Sequence, residues 1–134
     1  MSYSDKIKLK AKIENLPEFI KFVSEKAKSF GFSEEKISDI ELATEEVVTN
    51  IFNYAYKGPI EDVEITCKHI ENKFIIEIVD TGIPFNILDY QDPKFGNELS
   101  EVNIGGLGVY MVKKLMNGVQ YCREANKNIL ILTP

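Results

Sequence analysis

The stretch NIGGLGVYMVKKLMN, Asn103–Asn117, sets Gly105, Gly106 and Gly108 directly before an amphipathic helix. Val109, Val112, Leu115 and Met116 recur at helical spacing and form its apolar stripe. Glycine inside a helix costs roughly 1 kcal/mol against alanine, so this clustering needs a reason. Taken alone it supports two readings. One is a flexible loop that ends where a helix begins. The other is an anion site, in which backbone without side chains lets a phosphate reach the N–H groups at the positive end of the helix. The rest of the chain decides between them.

Upstream, residues 82–104 follow neither the helical nor the strand period and contain Gly82, Pro84, Pro93 and Gly96. A stretch of that length inside a compact domain is often a lid or binding loop. Before it, VEITCKHI and KFIIEIVD read as two strands joined at Glu71-Asn72, and KIKLKAKI, Lys6 to Ile13, as a half-exposed strand. Asn15 is placed to cap a first helix with Pro17 in its first turn, Phe19, Ile20, Phe22, Val23 and Ala27 inward, and a stop near Gly31. Ser33 opens a second helix that Gly58 and Pro59 end. Downstream, GVQYCRE and NILILT close as a hairpin around Ala125-Asn126-Lys127. The order β-α-α-β-β-loop-α-β-β predicts an α/β (α+β) two-layer sandwich, helices on one face of a largely antiparallel sheet, in a single domain over residues 1–134.

Composition narrows the function. With 134 residues the chain suits one domain that buries about two-thirds of its unfolded surface. The net charge of −5, with no basic block, argues against duplex nucleic acid as a partner. Arg123 is the only arginine, so recognition of phosphate by arginine forks is nearly unavailable. Cys67 and Cys122 fit no metal spacing and read as buried thiols in a reducing cytoplasm. His69 stands in a strand, where a surface or packing role is expected. No apolar run approaches the ~18 residues of a membrane span, and MSYSDKIKLK lacks a signal-peptide core. A cytoplasmic protein with no membrane partner is expected.

Two further segments carry candidate chemistry. On the second helix, Ile40, Ala43, Val47, Ile51 and Tyr54 form an apolar stripe. Glu46 and Asn50 stack four residues apart on its edge with Asn53 nearby, whereas Glu45 points to nearly the opposite side. They are either plain surface residues or face a cleft. In a cleft the amide oxygen suits a hard cation such as Mg²⁺, and the carboxylate suits orienting or deprotonating a nucleophile. The other segment is IIEIVDTGIPFN, whose strand runs out at Asp80 before a turn through Gly82 and Pro84. An acid there is either turn chemistry or a fixed carboxylate that accepts a hydrogen bond from an exocyclic amine.

In this order and spacing, TEEVVTN, VDTGIP and GGLGVYMV resemble the N box and the two glycine boxes of the Bergerat-fold (GHKL, histidine-kinase-like) ATPases. That superfamily includes gyrase B subunits, sensor histidine kinases and small stand-alone bacterial kinases. The short chain and its GGLGVYMVKKLM ending look most like the anti-sigma-factor serine protein kinases, over roughly residues 5–133. The resemblance implies a Bergerat fold, three helices on a mostly antiparallel mixed sheet. It implies a kinase that uses ATP and Mg²⁺ to phosphorylate a serine of an anti-sigma-factor antagonist, sequesters an RNA polymerase sigma factor, and forms a homodimer. It also assigns roles. Asn50 is the Mg²⁺ ligand and Glu46 the base that activates the attacking hydroxyl. Asp80 holds the adenine amino group, and Gly82 lets the backbone pass close to the base, with Asn53 and Pro84 as further nucleotide contacts. Gly105, Gly106, Leu107, Gly108 and Val109 form the hinge and phosphate cradle, and residues of about 86–104 the lid.

The chain departs from the family pattern in two places. Pro84 stands where a second glycine is common. The lid has Lys94 as its one cation and no arginine, leaving Lys94, Lys113 or Lys114 to offset charge on a transferring phosphoryl group. The rival readings are a nucleotide-dependent partner-binding switch without phosphoryl transfer, and a simple ATPase. Retention of Glu46 favours the kinase, since binding alone needs no base.

Overall fold

Alternation along the strands decides which face the helices cover. In β3, Lys73–Asp80, the side chains of Phe74, Ile76, Ile78 and Asp80 are buried while their neighbours are not. The computed structural model describes residues 2–89 and 104–134. Its five strands are β1 (Tyr3–Lys10), β2 (Asp62–Ile70), β3, β4 (Gly118–Glu124) and β5 (Lys127–Thr133), in the spatial order β1-β2-β3-β5-β4. Every pairing among them is antiparallel, so the mixed sheet expected from the resemblance has no parallel pair among the described residues. Residues of positive φ make the two tight turns: Glu71 between β2 and β3, and Ala125 and Asn126 between β4 and β5.

Three helices cover one face. They are α1 (Leu16–Phe30), α2 (Glu34–Tyr54) and α3 (Ile104–Leu115), with α2 packed against both others. Gly31 ends α1 in the left-handed conformation at φ 107°. Ser33 caps α2 as expected, its hydroxyl accepting from the Lys36 N–H at 3.1 Å. The core joins Phe19, Val23 and Ala27 of α1 to Ile40, Val47 and Ile51 of α2, Val109 and Val112 of α3, and the inner faces of β2, β3 and β5. Each large apolar side chain buried here contributes roughly 1.5–3 kcal/mol.

Several local expectations are corrected. The first strand begins and ends three residues early because it pairs with β2 from Tyr3↔His69 to Lys10↔Asp62. Asn15 does not cap α1 with its side chain. A short 3-10 turn, Ile13–Asn15, runs straight into the helix, and Asn15 Nδ2 donates to the Lys10 carbonyl instead. Helix α2 stops at Tyr54 rather than near Gly58, since the Ala55 carbonyl accepts from the Ile83 N–H and the chain turns away. Tyr54 is exposed, and Ile20 and Phe22 are only half-buried. Cys67 is buried but Cys122 is exposed on the edge strand β4. His69 does pack, edge-on against Tyr3 and Phe30. Helix α3 starts at Ile104, so Gly105 and Gly106 lie inside its first turn rather than ahead of it.

Candidate active site

Asp80 ends β3 in the core-facing phase, with Asn128 of β5 directly opposite. Its Oδ1 accepts from the Gly82 N–H and from Asn128 Nδ2, both at 2.9 Å. Both of those bonds fall on one oxygen of the carboxylate. Burial pushes the Asp80 carboxyl above the usual carboxylate range. The Asn128 and Gly82 hydrogen bonds and the Arg123 charge pull it partly back.

The turn after Asp80 is fastened group by group. The Thr81 N–H donates to the Tyr56 hydroxyl at 3.0 Å, and the Ile83 N–H to the Ala55 carbonyl at 3.0 Å. Tyr56 in turn donates to the Asp62 carbonyl, and the Thr81 hydroxyl donates to Glu61. Arg123 Nη1 donates to the Gly82 carbonyl at 2.7 Å. The lone arginine is therefore a support of the turn. Gly82 is required by packing: a Cβ there would overlap the Ala55 carbonyl oxygen and Cβ and stand 2.8 Å from the Ala55 carbonyl carbon.

Asn50 and Asp80 line one cavity with Val47, Ile78, Phe85 and Tyr121 among its walls. It is a small, mostly apolar cavity whose lining also carries the Asp80 carboxylate and the amides of Asn50 and Asn128. Gly82 and Pro84 line a neighbouring groove beside the end of α2. Asn53 is exposed. Glu46 is half-buried on α2 and faces Gly108 of α3, where a Cβ would overlap its Oε2 and lie 3.1 Å from its Cδ. Val109 is buried in the core. Gly105, Gly106 and Leu107 belong to the first turn of α3, the end of a helix that carries the positive pole of its dipole. Of the lid, Ile87–Asp89 form a 3-10 turn with Ile87 buried, and residues 90–103, Lys94 included, lie outside the described residues. Lys114 reaches over the Tyr110 ring at 5.4 Å, and Lys113 is half-buried.

The sequence reading missed Asn128, Tyr121 and Arg123. One signal was available: in NILILT, Asn128 stands in phase with Leu130 and Leu132, a polar side chain on the buried face.

Residues 9–133 match the model of the histidine kinase-like ATPase domain. The chain is 32% identical over 107 residues to the serine-protein kinase RsbW of Listeria monocytogenes serovar 1/2a, covering 75% of this chain and 68% of that one. It is 27% identical over 109 residues to the serine-protein kinase RsbW of Bacillus cereus, covering 78% and 68%. In fold it is similar to the crystal structure of the RsbU and RsbW domains of a Mycobacterium tuberculosis protein. That likeness has a TM-score of 0.65 at 17% identity and takes in 98% of this chain and 32% of the other, so this chain spans about a third of that protein's solved length. By its three boxes, its sandwich and these relatives, the chain belongs to the histidine kinase-like ATPase family and, within it, to the anti-sigma-factor serine-protein kinases.

Proposed function

We propose that the cavity between α2 and the Asp80 turn binds ATP and that the chain transfers its γ-phosphoryl group to a serine of a partner protein. The observation that carries this is the convergence of three elements. Asp80 lines the cavity from the end of β3, Asn50 lines it from α2, and Glu46 stands one turn from Asn50 against Gly108 of α3. Asp80 Oδ2 accepts from the exocyclic amine of adenine. The N–H groups of the first turn of α3, cleared of side chains by Gly105 and Gly106, hold phosphate oxygens. Glu46 accepts the serine proton as the hydroxyl oxygen bonds to the γ-phosphorus and ADP leaves with the electrons of the broken P–O bond.

The residues present fit Mg²⁺. Asn50, on the cavity wall, offers a hard amide oxygen to an ion that takes waters and substrate phosphates at its other positions. Bound there, the metal supplies charge neutralisation on the triphosphate. Asn53 and Pro84 border the nucleotide, Leu107 and Val109 back the phosphate cradle, and residues near 86–104 act as the lid. The phosphorylated partner is an anti-sigma-factor antagonist and the sequestered one a sigma factor, as the kinship with RsbW suggests. The residues of this sequence form one domain, and the chain works as a homodimer in the cytoplasm.

Incubation with γ-labelled ATP and candidate antagonists tests this. Label on one serine with wild-type chain, and none with Glu46→Gln, is the expected result. ATP binding without transfer to any candidate, or equal transfer by the variant, contradicts it.

A further inference from the structure

Asn128 is 4% exposed and uses every hydrogen-bonding position it has. Its Nδ2 donates to Asp80 Oδ1 at 2.9 Å and to the Ile83 carbonyl at 2.7 Å. Its Oδ1 accepts from the Phe85 N–H at 3.2 Å and from the Tyr121 hydroxyl at 2.5 Å. An amide side chain offers two donors and two acceptor sites, so none remains for a ligand. The partners also fix its orientation, because a carboxylate and a carbonyl face the nitrogen while an N–H and an O–H face the oxygen. One side chain thereby ties the end of β3, the turn at Ile83 and Phe85, and strand β4 to a single point.

We propose that Asn128 is a positioning residue for base recognition: by occupying Asp80 Oδ1 and holding the Ile83–Phe85 backbone, it fixes the orientation of the carboxylate that lines the cavity and so sets the preference for a purine bearing an amine over one bearing a carbonyl. This rests on the nucleotide-cleft reading. Tyr121 locks the amide from β4 and belongs to the same device. A misplaced Asp80 would no longer meet the base amine in line, and water or the ring N–H of a carbonyl-bearing base would compete for its oxygens.

Calorimetric titration of ATP and of inosine triphosphate, which carries a carbonyl in place of the amine, tests this in wild-type chain, Asn128→Asp and Tyr121→Phe. The aspartate is isosteric, loses both donors and sets a second carboxylate against Asp80. Its ATP affinity is expected to fall roughly tenfold near pH 8, with a smaller ATP preference. The deficit is expected to shrink toward about pH 5.5, where a proton shared by the pair restores one hydrogen bond. The charged and titratable groups around the pair are Arg123 and Tyr121 of β4, Tyr56 and Glu61 beyond α2, and Lys8, Lys10, Asp62, Glu64 and Lys127, which line a groove that Asp80 also borders. Of these, Glu61 meets the turn through the Thr81 hydroxyl. Tyr121→Phe frees one side of the amide and is expected to cost roughly two- to fivefold in ATP affinity with the same loss of preference. Should Asn128→Asp fail to fold, Tyr121→Phe carries the test. Variants that lose thermal stability while the ATP-to-inosine ratio and the pH profile stay at wild-type values overturn the proposal. A folded wild-type chain that binds neither nucleotide overturns the cleft reading and this inference with it, whereas wild-type discrimination retained by both variants overturns only the role of Asn128.

Discussion

Gly108 of α3 lies against the carboxylate of Glu46 on α2, so close that any Cβ would overlap Glu46 Oε2. The overlapped atom is the tip of a flexible side chain, which can swing aside. Gly108→Ala is therefore expected to fold, helped by the better helix propensity of alanine, but to displace the carboxylate. ATP affinity should stay within about threefold of wild type while serine phosphorylation falls on the order of a hundredfold, the scale of a misplacement of about 1 Å. Single-turnover transfer measured beside ATP titration separates the two. Undiminished transfer would remove Glu46 from the reacting centre or show that the carboxylate has room to spare.

Glu46→Gln keeps the shape and removes the base. Its expected phenotype is unchanged ATP binding with transfer lowered by roughly 10²–10⁴, the usual contribution of a positioned proton acceptor. Transfer at the wild-type rate would mean that the hydroxyl loses its proton elsewhere.

Asp80 illustrates a conflict between site and fold. Burial raises its folded-state pKa above the unfolded value, so between those values the native state binds more protons than the unfolded chain, and this group's contribution to stability falls as pH rises. Asp80→Asn lacks that titration. Without nucleotide its melting temperature is expected to exceed that of wild type by a few degrees at neutral pH, with the gap closing as the medium is acidified below the unfolded value. The same change turns an amide nitrogen toward the cavity and should weaken ATP at least roughly tenfold. A gap that widens on acidification would contradict the assignment.

The two thiols should separate under alkylation. Burial pushes the Cys67 thiol up to about 12, whereas Cys122 is exposed. Native chain is expected to take one iodoacetamide, at Cys122, and denatured chain two, read by mass spectrometry. Early modification of Cys67 would show that the β1–β2 side of the sheet opens readily.

Features set by local chemistry were legible in the sequence. The Ser33 cap, the stop at Gly31, the turn at Glu71 and the hairpin at Ala125-Asn126 each depend on a few neighbouring residues. The period-2 pattern of KFIIEIVD placed Asp80 at a strand end, and the three boxes gathered Glu46, Asn50 and the glycines of α3. Features set by register between distant strands were not legible. That Asn128 falls opposite Asp80 depends on β5 inserting between β3 and β4. The grip of Arg123 on Gly82 depends on β4 forming the edge beside it. Asn15 misled because a capping residue must itself be extended, whereas Asn15 ends a 3-10 turn at φ −91° and ψ −5°. A packing reason for Gly82 was not legible either, since a Cβ there would overlap Ala55, which is distant in sequence.

The central claim is an ATP site whose metal is held by Asn50, and its most direct test is calorimetric titration of ATP into the folded chain, with and without Mg²⁺, beside Asn50→Ala. The account predicts binding that needs Mg²⁺ in wild type and is lost in the variant, with both chains equally folded. Binding by Asn50→Ala equal to wild type, or no binding by wild-type chain at all, would contradict it.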